Sequence, residues 1–139
     1  MKLSTRGRYG LRAMHQLAEK SKKGPVPLSE IALAQDISLH YLEQIMRKLR
    51  LDGLVLSTRG AQGGYALAKP ASEIYVGEIL RSLEGDLRIV DCKDCNESED
   101  SVCERADDCP TFALWEKINT EISGVVDQTT LADMIEGNV

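Results

Sequence analysis

Aromatic residues are scarce: they make up 4% of the 139 residues, with a single Trp and a single Phe. Any core must therefore be built from Leu, Ile, Val, Ala and Met. No apolar run approaches the roughly 18 residues that a membrane span needs, so no membrane partner is expected. The first residues, MKLSTRGRYG, carry charge but no apolar stretch, which argues against a signal peptide and makes the cytoplasm the expected compartment. Histidine is nearly absent, with only His15 and His40. His15, on a helix, reads as a surface or packing residue. No Ser-His-Asp set, phosphate-binding glycine loop, paired-carboxylate site or internal repeat is found. These absences leave little room for an enzyme.

What is present is polarised. Residues 1–70 carry 12 Lys and Arg against 5 Asp and Glu, a balance of +7, and residues 71–139 carry 5 against 17, a balance of −12. The net −5 and the pI of 5.1 hide a basic half suited to nucleic acid. The acidic half would repel DNA and so help to decide which face docks. The plainer reading of such asymmetry is solubility.

The length suits one domain, or a small domain with an added dimerisation element. STRGRYGLRAMHQLAEKS predicts a first helix, capped by Ser4 or Thr5, with Leu11, Met14, Leu17 and Ala18 at helical spacing. KKGPVP breaks the chain. LSEIALAQ predicts a short second helix that turns Leu28, Ile31 and Ala32 inward. After Asp36 and Ile37, Ser38 caps a third helix, LHYLEQIMRKLRLDG, whose stripe is Leu42, Ile45, Met46 and Leu49. Two helices joined by about three residues fit helix-turn-helix geometry. LVLST, RGAQGG and YALAK then read as strand, glycine turn and strand, which adds a wing. ASEIYVGEILRSLEG predicts a further helix, with Ile74, Val76, Ile79, Leu80 and Leu83 for packing. Pro110 and Thr111 open a long helix in which Trp115, Ile118, Ile122 and Val125 form a narrow seam of the kind that packs helix against helix. TTLADMIEG is a last short helix. The fold class is mainly α with a small β-hairpin: a winged helix-turn-helix plus a long helix.

The third helix offers Ser38, His40, Tyr41, Glu43, Gln44 and Arg47 on the face opposite its apolar stripe. Gln44 can pair bidentately with adenine, Glu43 can accept from cytosine, and Ser38 and Tyr41 suit phosphate or base contacts. A solvated helix face would have a similar composition. At the hairpin tip Arg59 stands beside Gly60, Gly63 and Gly64, a shape suited to the negative potential of a minor groove. Lys2, Arg6, Arg8, Arg50 and Lys69 could neutralise phosphates.

All four cysteines, Cys92, Cys95, Cys103 and Cys109, lie within DCKDCNESEDSVCERADDCPTF. In a reducing compartment clustered thiols point to metal or redox chemistry before structural disulfides. The spacings could converge on one soft metal centre. Three uses compete: an iron–sulfur cluster, a structural zinc, and redox thiols with a Cys92–Cys95 disulfide. A thiol oxidoreductase would need a helix N-terminus and a βαβ sheet around its Cys-x2-Cys, and neither pattern is found. The surrounding carboxylates raise thiol pKa values and are kinder to a dication than to an anionic cluster. Without metal, about 91–108 is expected to be disordered.

MKLSTRGRYGLRAM, PVPLSEIA, ISLHYLEQIMRKLRLDGLV, STRGAQGGYALAKPASEIYVGEI and CPTFALWEKI resemble the bacterial iron–sulfur cluster regulator (IscR) family of winged-helix transcription factors, over about residues 1–135. Its relatives include nitric-oxide-sensing and cysteine-metabolism repressors. YLEQ followed by RGxxGGY after a helix-turn-helix is the specific signature. The resemblance implies a cytoplasmic homodimer that binds palindromic promoter DNA. Ser38, Tyr41, Glu43 and Gln44 would lie at the major groove, and Arg59 with the Gly60–Gly64 turn at the minor groove. Trp115, Ile118, Ile122 and Val125 would form the dimer. It favours the cluster over zinc, 2Fe–2S ahead of 4Fe–4S, and a sensor of iron–sulfur status or of redox or nitric oxide stress.

The chain departs from the family pattern at several positions. Close relatives carry serine where His40 stands. Cluster-binding members space three cysteines by five residues each; Cys103 to Cys109 fits, but the gap from Cys95 to Cys103 does not. Phe112 occupies the position of a ligating histidine, and Arg8 that of an acidic ligand lent by a partner. The simplest repair uses all four thiols. The expected organisation is a DNA-binding domain at 1–85, a cysteine segment at 86–109, and a dimerisation helix with a C-terminal helix at 110–139. Cluster assembly would order the segment and set the spacing of the two DNA-reading heads.

Overall fold

The computed structural model describes residues 2–90, 103, 105 and 107–139. The segment expected to be disordered without metal lies largely outside the described residues, and Cys92 and Cys95 fall there with it.

Helix α1, Thr5–Lys20, starts where Ser4 accepts the Arg6 N–H on its Oγ at 3.2 Å. Its inner face buries Ala13, Met14, Leu17 and Ala18; Leu11 is only half-buried. Helix α2, Leu28–Gln35, buries Ile31 and Ala32 and ends at Asp36 in the left-handed conformation (φ 53°). Ser38 then caps α3, Leu39–Leu51, accepting the Tyr41 N–H at 3.2 Å. The α3 stripe of Leu42, Ile45, Met46 and Leu49 is fully buried, as its spacing predicts. Strands β1, Val55–Thr58, and β2, Gly64–Leu67, pair antiparallel with Val55 opposite Leu67 and Thr58 opposite Gly64. Val26 adds a bridge to Tyr65, with both hydrogen bonds at 2.8 Å, and ties the base of the wing to the loop before α2. Three helices followed by this hairpin make the winged helix-turn-helix.

One expected helix is shorter than its sequence suggests. Ala71–Glu73 is a 3-10 turn, Ile74 is extended, and α4 begins only at Val76 and runs to Glu84. The Ile74 carbonyl accepts the Leu131 N–H at 3.0 Å and the Val76 N–H donates to the Thr129 carbonyl at 2.9 Å, so this stretch pairs with the C-terminal segment instead of coiling. Glu78 reaches back to the Tyr75 N–H at 2.9 Å and fixes the new start. Helix α5, Phe112–Gln128, follows, and α6, Leu131–Glu136, is capped by Thr130. The main core is aliphatic and sulfur-containing, without a fully buried aromatic ring. Leu131 of α6 is part of it, so the chain leaves along α5 and returns to the core it started from.

Helix α4 meets the first turn of α1 through Glu84. Its Oε1 accepts the Ser4 N–H and the Gly7 N–H, each at 2.9 Å, and the Ser4 hydroxyl at 2.5 Å. Gly7 is required by this approach, because any Cβ there would run into the Glu84 side chain. Burial pushes the Glu84 carboxyl up, but the hydrogen bonds from Ser4 and Gly7 and the Arg6 charge outweigh it and hold the group below its ordinary value. A folded value below the unfolded one means that this stabilisation is complete above the ordinary carboxylate range and is lost as pH falls through the folded value. Glu84→Gln should therefore lower unfolding free energy at neutral pH by about 1–2 kcal/mol. In denaturant titrations the gap between the two proteins should close as pH falls below 4.5; a gap that persists in acid would show that the carboxylate charge is not what matters.

Candidate DNA interface and thiol site

The sequence-predicted face of α3 is on the surface. Ser38, His40, Glu43, Gln44 and Arg47 are exposed, because the buried stripe occupies the other side of the helix. His40 Nε2 lies 3.1 Å from Gln44 Nε2, one turn on. Tyr41 differs from its neighbours. It is half-buried, packs edge-on to Tyr9 with ring centroids 6.2 Å apart, and brings its hydroxyl to 3.0 Å from Thr5 Oγ1. Its ring belongs to the α1–α3 contact, and only the hydroxyl faces outward with Thr5. Arg12, which caps the Tyr9 ring at 5.4 Å, is held by Gln35 through two hydrogen bonds.

In the wing, Arg59 is exposed directly after β1, and Gly60 adopts a φ of 112°. Gly63 and Gly64 are half-buried. At Gly64 the close approach is to the chain itself, since a Cβ would collide with the Val26 carbonyl. That glycine shapes the wing base. Among the basic residues, Lys69 pairs with Glu78 at 3.1 Å and Lys48 with Asp52 at 3.1 Å. Hydrogen bonds from Ser82 and Lys48 hold the Asp52 carboxyl below its ordinary value. Arg47, Arg50 and Arg59 have no ion-pair partner among the described residues, so their charge faces solvent.

Of the thiols, Cys103 is exposed and Cys109 half-buried, and both are free. Cys109 Sγ sits 3.3 Å from Thr111 Oγ1 at the start of α5. Hydrogen bonds from the Thr111 side chain and backbone, opposed by slight burial, hold the Cys109 thiol below its ordinary value. A thiol biased toward thiolate suits a soft metal or cluster. Among the described residues no three His, Cys, Asp or Glu side chains stand close enough to hold a metal by themselves.

The seam of α5 lies outward: Trp115, Ile118 and Ile122 are half-buried and Val125 is 63% exposed. Val125 also lines a groove of about 590 Å³ between α1, α5 and α6, together with Arg8, Leu11, Val76 and Met134. The one buried residue of α5 is polar. Asn119 is 8% exposed, its Oδ1 accepts the Ile89 N–H at 2.9 Å, and its Nδ2 is buried without a partner among the described residues. Arg81 of α4 forms a two-pronged ion pair with Asp127, which holds the Asp127 carboxyl down and the Arg81 guanidinium up. Neither Asn119 nor this pair was apparent from the sequence; an Asn at an inward position of an otherwise apolar helix face is the signal that could have found the first.

Comparison with known proteins decides the lineage. Residues 3–137 match Rrf2, described as an iron-dependent transcriptional regulator. The chain is 43% identical to the HTH-type transcriptional regulator IscR of Serratia proteamaculans, over 97% of this chain and 79% of that one. The chain belongs to the Rrf2 family. Among solved structures it resembles CymR, the global cysteine regulator of B. subtilis, with a TM-score of 0.80 and 40% identity, covering 98% of this chain and 97% of that one. It also resembles T. potens IscR, with a TM-score of 0.77 and 42% identity, covering 100% of this chain and 89% of that one. It is a transcriptional regulator of the Rrf2 type. No helix among its described residues is long and apolar enough to cross a membrane.

In this Rrf2 chain Phe112 is half-buried in the first turn of α5, and Arg8 is exposed on α1. Neither side chain can ligate a cluster iron. Thr111 is therefore the polar neighbour that conditions Cys109. In metal-free protein, Thr111→Val should raise the Cys109 pKa. Its alkylation by iodoacetamide at neutral pH, followed by peptide mass spectrometry, should slow about two- to fivefold while Cys103 is unaffected. An unchanged Cys109 rate would remove Thr111 from the account.

Proposed function

We propose that this Rrf2 chain is a homodimeric regulator that binds palindromic double-stranded DNA and senses iron–sulfur status, or redox or nitric oxide stress, through an iron–sulfur cluster on its thiols. The observation that carries the DNA reading is the exposed polar face of α3 on the same module as Arg59, which is exposed at the wing and has no ion-pair partner among the described residues. Ser38, His40, Glu43, Gln44, Arg47 and the Tyr41 hydroxyl would meet the major groove. Arg59 and the Gly60–Gly64 turn would meet the minor groove. Residues 1–85 act as the DNA-binding unit, 86–109 as the sensing segment and 110–139 as the dimerisation unit. The seam of Trp115, Ile118, Ile122 and Val125 supports dimerisation, since an apolar stripe left this open on one chain favours a second copy.

Cys92, Cys95, Cys103 and Cys109 would hold the cluster, 2Fe–2S ahead of 4Fe–4S. When bound, the cluster supplies an oxidisable, nitric-oxide-reactive centre. The chain supplies the coupling: Cys109 stands three residues ahead of α5, where its carbonyl accepts the Phe112 N–H at 3.3 Å, and Asn119 fastens Ile89, ahead of the thiols, to the middle of the same helix. A change in the thiol segment would thus pull on α5, which carries the dimer seam. A second reading, a thiol switch or structural zinc in the same fold, draws on the depressed Cys109 pKa and on the likeness to CymR.

Protein purified without oxygen should be brown, with iron and sulfide in equal count per chain; colourless protein with one zinc per chain would sink the cluster. For DNA, Arg59→Ala should weaken binding to a selected duplex and reduce the slope of log affinity against log salt by about one. An unchanged slope would take the wing off the DNA. Ile122→Asp should shift sedimentation from dimer to monomer; a variant that stays dimeric would exclude the α5 seam as the contact.

A further inference from the structure

His40 and Gln44 form a pair on the exposed face of α3 that the sequence reading treated as separate contacts. His40 Nε2 lies 3.1 Å from Gln44 Nε2. An amide nitrogen has hydrogens to give and no lone pair to accept with. Gln44 is therefore the donor and His40 Nε2 the acceptor, a pairing that the Nδ1–H tautomer of the imidazole allows. One of the two Gln44 N–H bonds is thereby occupied. What remains facing outward is one N–H and the Oε1 acceptor.

That remainder matches one base. In the major groove adenine offers the N6 amino donor and the N7 acceptor, which one amide oxygen and one N–H satisfy together. Guanine offers two acceptors, O6 and N7. An amide with one N–H already committed cannot serve both. We infer that His40 is a specificity-determining residue of the DNA-reading face: it fixes the Gln44 amide in the orientation that selects adenine and disfavours guanine. The inference rests on the DNA-reading function proposed above and concerns which base is read, not whether DNA is bound. Helix α3 is held by its fully buried stripe on the opposite side, so changes at His40 leave the fold intact.

The test uses the full chain, in metal-loaded and metal-free forms, to select from a randomised double-stranded library. Gln44→Ala identifies the base pair that Gln44 reads, as the position whose preference disappears. Affinities are then measured by anisotropy on duplexes that differ only at that pair. His40→Ala should reduce the adenine-over-guanine preference there about three- to tenfold, more than it changes the preference at any other pair of the site. His40→Asn, whose side-chain carbonyl can accept from a glutamine one turn on, should restore part of it. A His40→Ala protein that discriminates as well as the wild type overturns the inference, and so does a loss of affinity shared equally by all four base pairs. If the wild-type chain enriches no duplex, the DNA-reading function fails first, and the inference with it.

Discussion

The approach of α4 to the first turn of α1 sets the geometry that the rest of the protein inherits. Helix α1 touches α2, α3, α4, α6 and the second strand, so its position fixes the frame in which α3 and the wing are held. The Glu84 carboxylate closes the open N–H groups at the head of α1 from a distant point in the chain, where a helix start has unfilled donors and positive potential. The contact tolerates no side chain at Gly7. It also places Thr5 against the Tyr41 hydroxyl, which joins the start of α1 to the start of α3. The polar surface proposed to face DNA is thus built on two helix starts locked together, with an aliphatic core beneath.

Helix α5 is attached by a different kind of force. Its inward side buries one polar residue, and it docks through Asn119 with the Ile89 backbone, Arg81 with Asp127, and a small apolar contact of half-buried Val126 with Val76, Leu80 and Leu87. Polar contacts near the surface stabilise by only about 1 kcal/mol each. An attachment of this strength can be shifted by events elsewhere on the helix, which a well-packed apolar contact would resist. The pairing of Tyr75 and Val76 with Thr129 and Thr130 anchors the C-terminal end of α5.

Much of this was legible in the sequence, and the exceptions share a cause. The caps at Ser4 and Ser38, the α3 stripe and the hairpin depend on residues a few positions apart, where local periodicity and side-chain chemistry act directly. The start of α4 was misread because Ile74 is drawn into pairing with Leu131, more than fifty residues later. Glu84 with Ser4, Arg81 with Asp127 and Asn119 with Ile89 are likewise contacts between distant segments, and each residue alone looks like an ordinary surface or helix position. Tyr41 was read as a contact residue only, because its packing partner Tyr9 lies on another helix. The His40–Gln44 pair is the opposite case. It is local, at a spacing any helix allows, but two polar residues on an exposed face do not declare whether they meet each other or a partner.

The charge polarity takes on a more specific meaning on this frame. Three arginines, Arg47, Arg50 and Arg59, remain without carboxylate partners among the described residues, while the neighbouring lysines Lys48 and Lys69 are neutralised by Asp52 and Glu78. A solvated surface would gain little from such sorting, since exposed pairs are weak in either arrangement. A surface that must meet phosphates in a fixed register gains more, because guanidinium groups give directional, paired hydrogen bonds to phosphate that an ammonium cannot. On α3 and the wing the arginines stay open while Lys48 and Lys69 are paired, and two acids of the second half, Glu78 and Glu84, pack back onto this module. This arrangement would orient the protein on the DNA proposed above before any base is read.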